Sequence, residues 1–255
     1  CPVTEPLRLE RFDTASLQDY VAAGGVVVLF PLGSTEPHGP HLPLSTDVVL
    51  ADENAMRAAR RLRERGVPAV VAPALPYGVT DFAEGFTGAT SIPGDTLVDF
   101  VVAAASAWLR DGFVHVCLIN HHLEPGQLDA LARAERALVD AFGAAAVSRP
   151  QVVSRRWGGR LGAEFRSGAC HAGSYETSLV LAAAPELASM QRAAALPEVA
   201  VSLSVAIAAG QTSFRAAGAD AAYTGRPADA SAAEGEALYE VLTEMVCTEV
   251  LESLK

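Results

Sequence analysis

Short β-branched runs alternate with longer alanine-rich stretches along this chain, and that alternation limits the fold more than any other feature. GVVVLFPLG (25–33), VPAVVAPAL (67–75) and FVHVCLIN (113–120) are too short and apolar to be amphipathic helices and read as buried strands. A fourth strand is expected within AAAVSRPQVVS. The segments between them carry helical spacing: about Thr46 to Arg65, the stretch after Gly94 that Gly112 closes, and 126–143, where Leu128, Leu131 and Leu138 share one side. Further helices are expected from near Tyr175 and from about Ala232 to the C-terminus. Strand–helix alternation predicts an α/β fold, a single layered domain over 1–255 with a mostly parallel sheet flanked by helices. No linker composition or internal repeat divides the chain. In such sheets ligands bind beyond the carboxyl ends of the strands. The loops after the first three runs should therefore meet at one rim.

Composition narrows the partners. The formal charge of −11 at pH 7 speaks against nucleic acid or an anionic membrane surface. The longest apolar runs are too short to cross a bilayer, and no leader-like series of charged, apolar and small residues is visible. Cys1, Cys117, Cys170 and Cys247 are scattered, which suits reduced thiols and predicts a cytoplasmic protein.

The chemistry collects in the expected rim loops. His38 and His41 lie in the first, with Glu36 and Asp47; His121 and His122 lie in the third, with Glu124; His171 lies in HAGSYETS, with Glu176. A lone loop histidine is usually a solvated or capping residue, but three loops each pairing imidazole with carboxylate are harder to explain that way. Mixed nitrogen and oxygen donors suit Zn²⁺ or Mn²⁺ better than Mg²⁺ or Ca²⁺. The two richest loops lack cysteine, so a closed structural zinc site is not expected. A two-metal hydrolytic site, with Asp47 as the bridging carboxylate, is the natural use. Rival motifs are incomplete. Ser34 lacks the G-x-S-x-G frame of a nucleophile elbow, Gly33 is not followed by G-x-G-x-x-G, and Cys170 beside His171 is a poor nucleophile–base pair.

GSTEPHGPHLPLSTD, NHHLEPGQ and HAGSYETS together resemble the creatininase (creatinine amidohydrolase) family, whose signature reads G-[AS]-x-E-Q-H-G-P-H-L-P-x-x-T-D. Pro37 stands where that signature has glutamine. PYGVTDFAEGFTGATSIPGDTL and YTGRPADASAAEGEAL extend the likeness over about residues 25 to 250. The resemblance implies one metal on Glu36, Asp47 and His122 and a second on His38, Asp47 and Glu124. It implies His171 as proton carrier and Glu176 as a further carboxylate at the site, either a ligand or a partner of one. The ions would be Zn²⁺ and/or Mn²⁺, with Fe²⁺ also compatible. It further implies hydrolysis of a small, cyclic amide by a homohexamer. The alternatives are a peptidase or deformylase of the mycofactocin-associated kind, or a non-catalytic metal-binding homologue.

The third loop departs from the family's N-G-H-G-G-N and N-G-H-Y-E-N forms. His121 replaces a glycine and Leu123 replaces the aromatic residue of the creatinine-hydrolysing type, which weakens creatinine as substrate. His121, Leu123 and Trp157 are the candidate substrate contacts. Arg155, Arg156 and Arg160 read as solvated charge, and His41 as a supporting residue.

Overall fold

Alternating side chains of the first strand explain the layering. In a computed structural model describing residues 6–255, β1 (Val27–Leu32) turns Val28, Phe30 and Leu32 to one face and Val27 and Leu29 to the other. β2 (Ala69–Val71) and β3 (His115–Asn120) flank it, and β4 (Val147–Ser148) adds to β3. All three pairings are parallel and the order is β2-β1-β3-β4. Both faces are apolar because both are covered, as a parallel sheet requires.

The helices in chain order are α1 (Thr14–Ala22), α2 (Thr46–Glu64), α3 (Gly94–Arg110), α4 (Pro125–Phe142), α5 (Arg155–Gly158), α6 (Gly162–Ser167), α7 (Ser174–Ala183), α8 (Met190–Ala193), α9 (Leu203–Ala208) and α10 (Ala232–Ser253). Leu97, Val101 and Ala105 of α3 and Ala130, Leu131, Ala134 and Leu138 of α4 cover one face of the sheet. Ala55, Ala58, Ala59 and Leu62 of α2 and Val246, Cys247 and Val250 of α10 cover the other. The expected α/β layering and its principal elements are present. The fourth strand is only two residues long, and α1 and the short helices α5, α6, α8 and α9 are additions to the sequence reading. α1 is capped by Asp13, whose carboxylate accepts from the N–H groups of Ala15 and Ser16.

Two close approaches fix the rim. Leu32 and Asn120 are register partners, so the loops leaving β1 and β3 start side by side. A Cβ on Gly33 would lie 2.7 Å from the Val48 nitrogen, so only glycine lets the chain leave β1 this close to the start of α2. A Cβ on Gly235 would overlap the carbonyl oxygen of Ser178, which is how α10 comes to lie tightly on α7. No helix among the described residues is long and apolar enough to cross a membrane. Cys117, Cys170 and Cys247 are free thiols; Cys1 lies outside the described residues.

Candidate active site

The loop after β1, the first turn of α2, the loop after β3 and the start of α7 converge at the carboxyl edge of the sheet. They bring Glu36, His38, Asp47, His122, His171 and Glu176 together, all buried. His122 Nδ1 lies 3.2 Å from Glu36 Oε1 and 3.0 Å from Asp47 Oδ2. His38 Nε2 lies 3.2 Å from Asp47 Oδ1 and 3.4 Å from Glu176 Oε2. Two overlapping sets of donors result, Glu36–Asp47–His122 and His38–Asp47–Glu176, and Asp47 belongs to both. A third grouping joins Glu36, His38 and His171, whose Nδ1 is 3.7 Å from Glu36 Oε1.

Backbone carbonyls decide which nitrogen of each ring faces the cluster. His122 Nε2 donates to Val79 O at 2.7 Å, His38 Nδ1 to Glu36 O at 3.2 Å, and His171 Nε2 to Pro37 O at 2.9 Å. Each ring, held neutral in that tautomer, turns a lone pair toward the carboxylates. Lone pairs facing carboxylates repel unless a cation lies between them. His38 Nε2 and Asp47 Oδ2 are buried without a hydrogen-bond partner, which is the signature of donors awaiting an ion. The residues present therefore fit divalent metal.

Without a cation, protons are drawn in instead. Burial pushes His38 down, but Asp47, Glu176 and Glu36 overcome this and raise it to about 10. Burial opposes protonation of His122 as well, yet Glu36 and Asp47 lift it well above the ordinary value. Burial raises Glu176 to about 8 despite His38. His171 goes the other way, to about 4, through burial and the neighbouring His38.

The supporting residues include several that sequence reasoning missed. The Thr80 hydroxyl donates to Glu36 Oε2. Gln127 accepts from Val79 N–H at 3.0 Å and donates to Asn120 Oδ1 at 3.1 Å, while Asn120 Nδ2 donates to His122 O at 2.6 Å, so the segment holding His122 is fastened on both sides. Ala172 has φ +50°, a left-handed conformation rare for alanine, and its N–H donates to Glu176 Oε2 at 2.7 Å. His41 Nε2 meets the Thr177 hydroxyl at 3.0 Å beneath the cluster.

Glu124 does not enter either donor set. Its carboxylate accepts from the N–H groups of Asp81 at 2.9 Å and Phe82 at 3.2 Å, which turns it toward the loop after β2; Glu176 occupies the place the resemblance gave it. Burial raises Glu124 to about 7. Trp157 is likewise elsewhere. Its Nε1 donates to Glu249 at 2.9 Å and its ring lies under the Arg156 and Arg160 guanidinium groups, away from the site. Those arginines pair with Glu252 and Glu244 at the surface, in keeping with solvated charge. Ser34 is buried and does not line the site.

A cavity of about 150 Å³ opens over the cluster. Glu36, Asp47, His122, His171 and Glu176 line its polar end; Phe82, Leu123, Leu203, Ile207 and Phe214 supply apolar wall, and His121 and Glu124 also border it. Phe214 stacks on His171 with centroids 4.3 Å apart and planes at 22°. Phe82 lies in the second family-like segment without a role assigned to it there, Phe214 lies outside every quoted motif, and the fold brings both to the site.

A doubly covered parallel sheet with a buried acid–imidazole cluster at the floor of a small cavity is the α/β architecture of a protein with a divalent-metal site at its sheet edge. The family model described as creatinine amidohydrolase matches residues 10–250. The mycofactocin precursor peptide peptidase of Mycobacterium tuberculosis is 30% identical over 230 residues, covering 85% of this chain and 81% of the relative. The creatinine amidohydrolase of Pseudomonas putida is 31% identical over 190 residues, covering 68% and 70%. A crystal structure of creatinine amidohydrolase superposes with a TM-score of 0.75 at 24% identity, covering 98% of this chain and 99% of that one. The chain belongs to the creatininase family, and it is a hydrolase.

Proposed function

We propose that the protein is a dinuclear metal-dependent amidohydrolase that cleaves the C–N bond of a small, cyclic amide. The observation that carries this reading is the pair of donor sets sharing Asp47 at the floor of a cavity of about 150 Å³. Glu36, Asp47 and His122 would hold one ion and His38, Asp47 and Glu176 the other, Zn²⁺ or Mn²⁺ by donor type, with Fe²⁺ also accepted. Divalent ions held there supply polarisation of the amide carbonyl and lower the pKa of the attacking water.

The chain's own groups do the rest. His171 Nδ1 faces the cluster with its Nε2 proton committed to Pro37 O, so Nδ1 can take a proton from the attacking water and pass it to the leaving nitrogen. Its lowered pKa keeps that lone pair free at neutral pH. Phe214 fixes the ring's plane, and Phe82, Leu203 and Ile207 give the cavity an apolar wall beside it. Thr80 orients Glu36, and Glu124 holds the loop that carries Phe82.

A second reading, a peptidase, is favoured by the relative that covers 85% of the chain. The small, apolar-walled cavity favours a compact amide over an extended peptide. A non-catalytic metal-binding homologue is the third. The resemblance to the family also supports a homohexamer, which light scattering would measure. Metal analysis of purified protein, together with hydrolysis assays on creatinine, small lactams and short peptides, separates the readings. Cleavage of peptides alone would replace the first reading with the second. Absence of divalent metal, with no change on His122→Ala, would overturn both enzymatic readings.

A further inference from the structure

His121 is the one imidazole at the cavity with no part in the donor sets or in the proton transfer assigned to His171. It is buried at 4% exposure, and Asn54 of α2 sits beside it, with Nδ2 3.1 Å from His121 Nε2. An amide nitrogen can only donate, so Nε2 accepts and the ring is neutral with its proton on Nδ1. The opposite amide orientation is disfavoured. It would leave the two-proton Nδ2 unpartnered instead of the acceptor Oδ1, and buried orphan N–H groups are the rarer and costlier kind. His121 Nδ1 has no protein partner, yet it is not among the sealed, unpartnered atoms, and the residue borders the cavity. Its N–H therefore faces the space above the cluster. Asn54 lies seven residues after Asp47, on the same buried stripe of α2, so one helix face both supplies the shared carboxylate and orients this donor.

We infer that His121, locked by Asn54, is a specificity residue whose Nδ1–H binds a second acceptor atom of the substrate, apart from the scissile carbonyl. This rests on the amidohydrolase reading, in which the scissile carbonyl goes to the acid–imidazole end of the cavity. A ligand that fills the cavity displaces water from this N–H, which costs free energy unless the ligand brings an acceptor to it. The substrate class is thereby narrowed to compact cyclic amides carrying a second carbonyl or an equivalent acceptor. Such a compound also suits a cavity whose wall is mostly apolar beyond the acid–imidazole cluster, with Phe82, Leu123, Leu203, Ile207 and Phe214 on it.

The test reads tautomer and binding rather than turnover. In zinc-loaded protein with ¹⁵N-labelled histidine, nitrogen shifts and long-range couplings should show His121 protonated on Nδ1 with Nε2 as acceptor. Two five-membered probes, hydantoin with two carbonyls and 2-pyrrolidinone with one, are then titrated calorimetrically. His121→Phe should weaken hydantoin roughly 10- to 100-fold and leave 2-pyrrolidinone within about twofold, with metal content unchanged. Asn54→Leu, which keeps His121 but frees its tautomer, should reduce the preference for hydantoin in the same direction. A proton on Nε2, equal loss for both probes, no loss, or failure of hydantoin to bind the wild type at millimolar concentration would each overturn the inference. Metal content and hydrolysis, measured separately, report on the underlying amidohydrolase reading, so the two can fail independently.

Discussion

Three imidazoles at this site owe their chemistry to backbone carbonyls rather than to other side chains. Val79 O, Glu36 O and Pro37 O each take one ring proton, so His122, His38 and His171 present fixed lone pairs inward. The three differ in what surrounds the free nitrogen. His38 and His122 face two carboxylates each within 3.5 Å, while His171 Nδ1 stands 3.7 Å from Glu36 and stacks on Phe214. Replacing His171 with alanine should lower kcat by about 10²–10⁴ with both metals retained, the usual span for loss of a general acid–base group. Loss of metal in that variant would show His171 to be a ligand and sink the proton-transfer role. Thr80→Val should leave Glu36 less firmly oriented and weaken metal affinity by roughly tenfold, measured by competition with a chelator. Unchanged affinity would mean that the hydroxyl is incidental. Of these residues the sequence displayed the histidines and acids, because E-x-H-x-x-H and H-x-x-x-x-E spacings are visible in a string. Thr80, Asn54 and Val79 O were hidden, since each acts through a contact between segments far apart in the chain. For the same reason Glu124, expected in the second donor set, lies outside it, and Glu176, expected as a ligand or a partner of one, lies within it. Which carboxylate reaches the cluster depends on the left-handed turn at Ala172 and on the N–H groups of Asp81 and Phe82.

At the scale of elements, the site depends on how closely α2 and α7 are held. Asp47 sits in the first turn of α2, and Gly33 lets β1 turn beneath it. Gly33→Ala would press a methyl group against backbone atoms of Asp47 and Val48. It should cost about 1–3 kcal/mol in urea denaturation, as overpacking does, and loosen metal binding as well. Full stability with native metal affinity would show that the junction can yield. The long elements α2, α3, α4 and α10 were legible because their apolar positions repeat over four or more turns. Between 155 and 208 only α7 was legible; α5, α6, α8 and α9 are four to six residues long, too short to establish a period. β4 is two residues long and ends almost as it begins, so its run of apolar residues overstated it. α9 matters most among the missed elements, since Leu203 and Ile207 on it wall the cavity.

For the molecule as a whole, the cluster couples stability to pH and to metal. In the metal-free protein His38 titrates near 10 against an ordinary 6.5, Glu176 near 8 and Glu124 near 7 against an ordinary 4.5. Each raised value means that the folded state holds a proton the unfolded chain has already lost. The stability each contributes is complete below its unfolded pKa and disappears as pH rises through the folded one. His171, His121 and His41 are depressed to about 4, so their opposite contribution changes only between about 4 and 6.5 and is constant above that. From pH 6.5 to 9 the remaining slope has one sign, and the metal-free protein should melt at progressively lower temperature. Metal acts in the other direction, because ligands must be deprotonated to bind it, and binding strengthens as the competing protons leave. The gap in melting temperature between metal-loaded and chelator-treated protein should therefore widen steadily across that window. Differential scanning calorimetry of both forms at several pH values measures it. A chelator-treated protein whose melting temperature holds constant or rises from pH 6.5 to 9 would mean that His38 and Glu176 do not share trapped protons, and that the cluster is not poised around a missing positive charge.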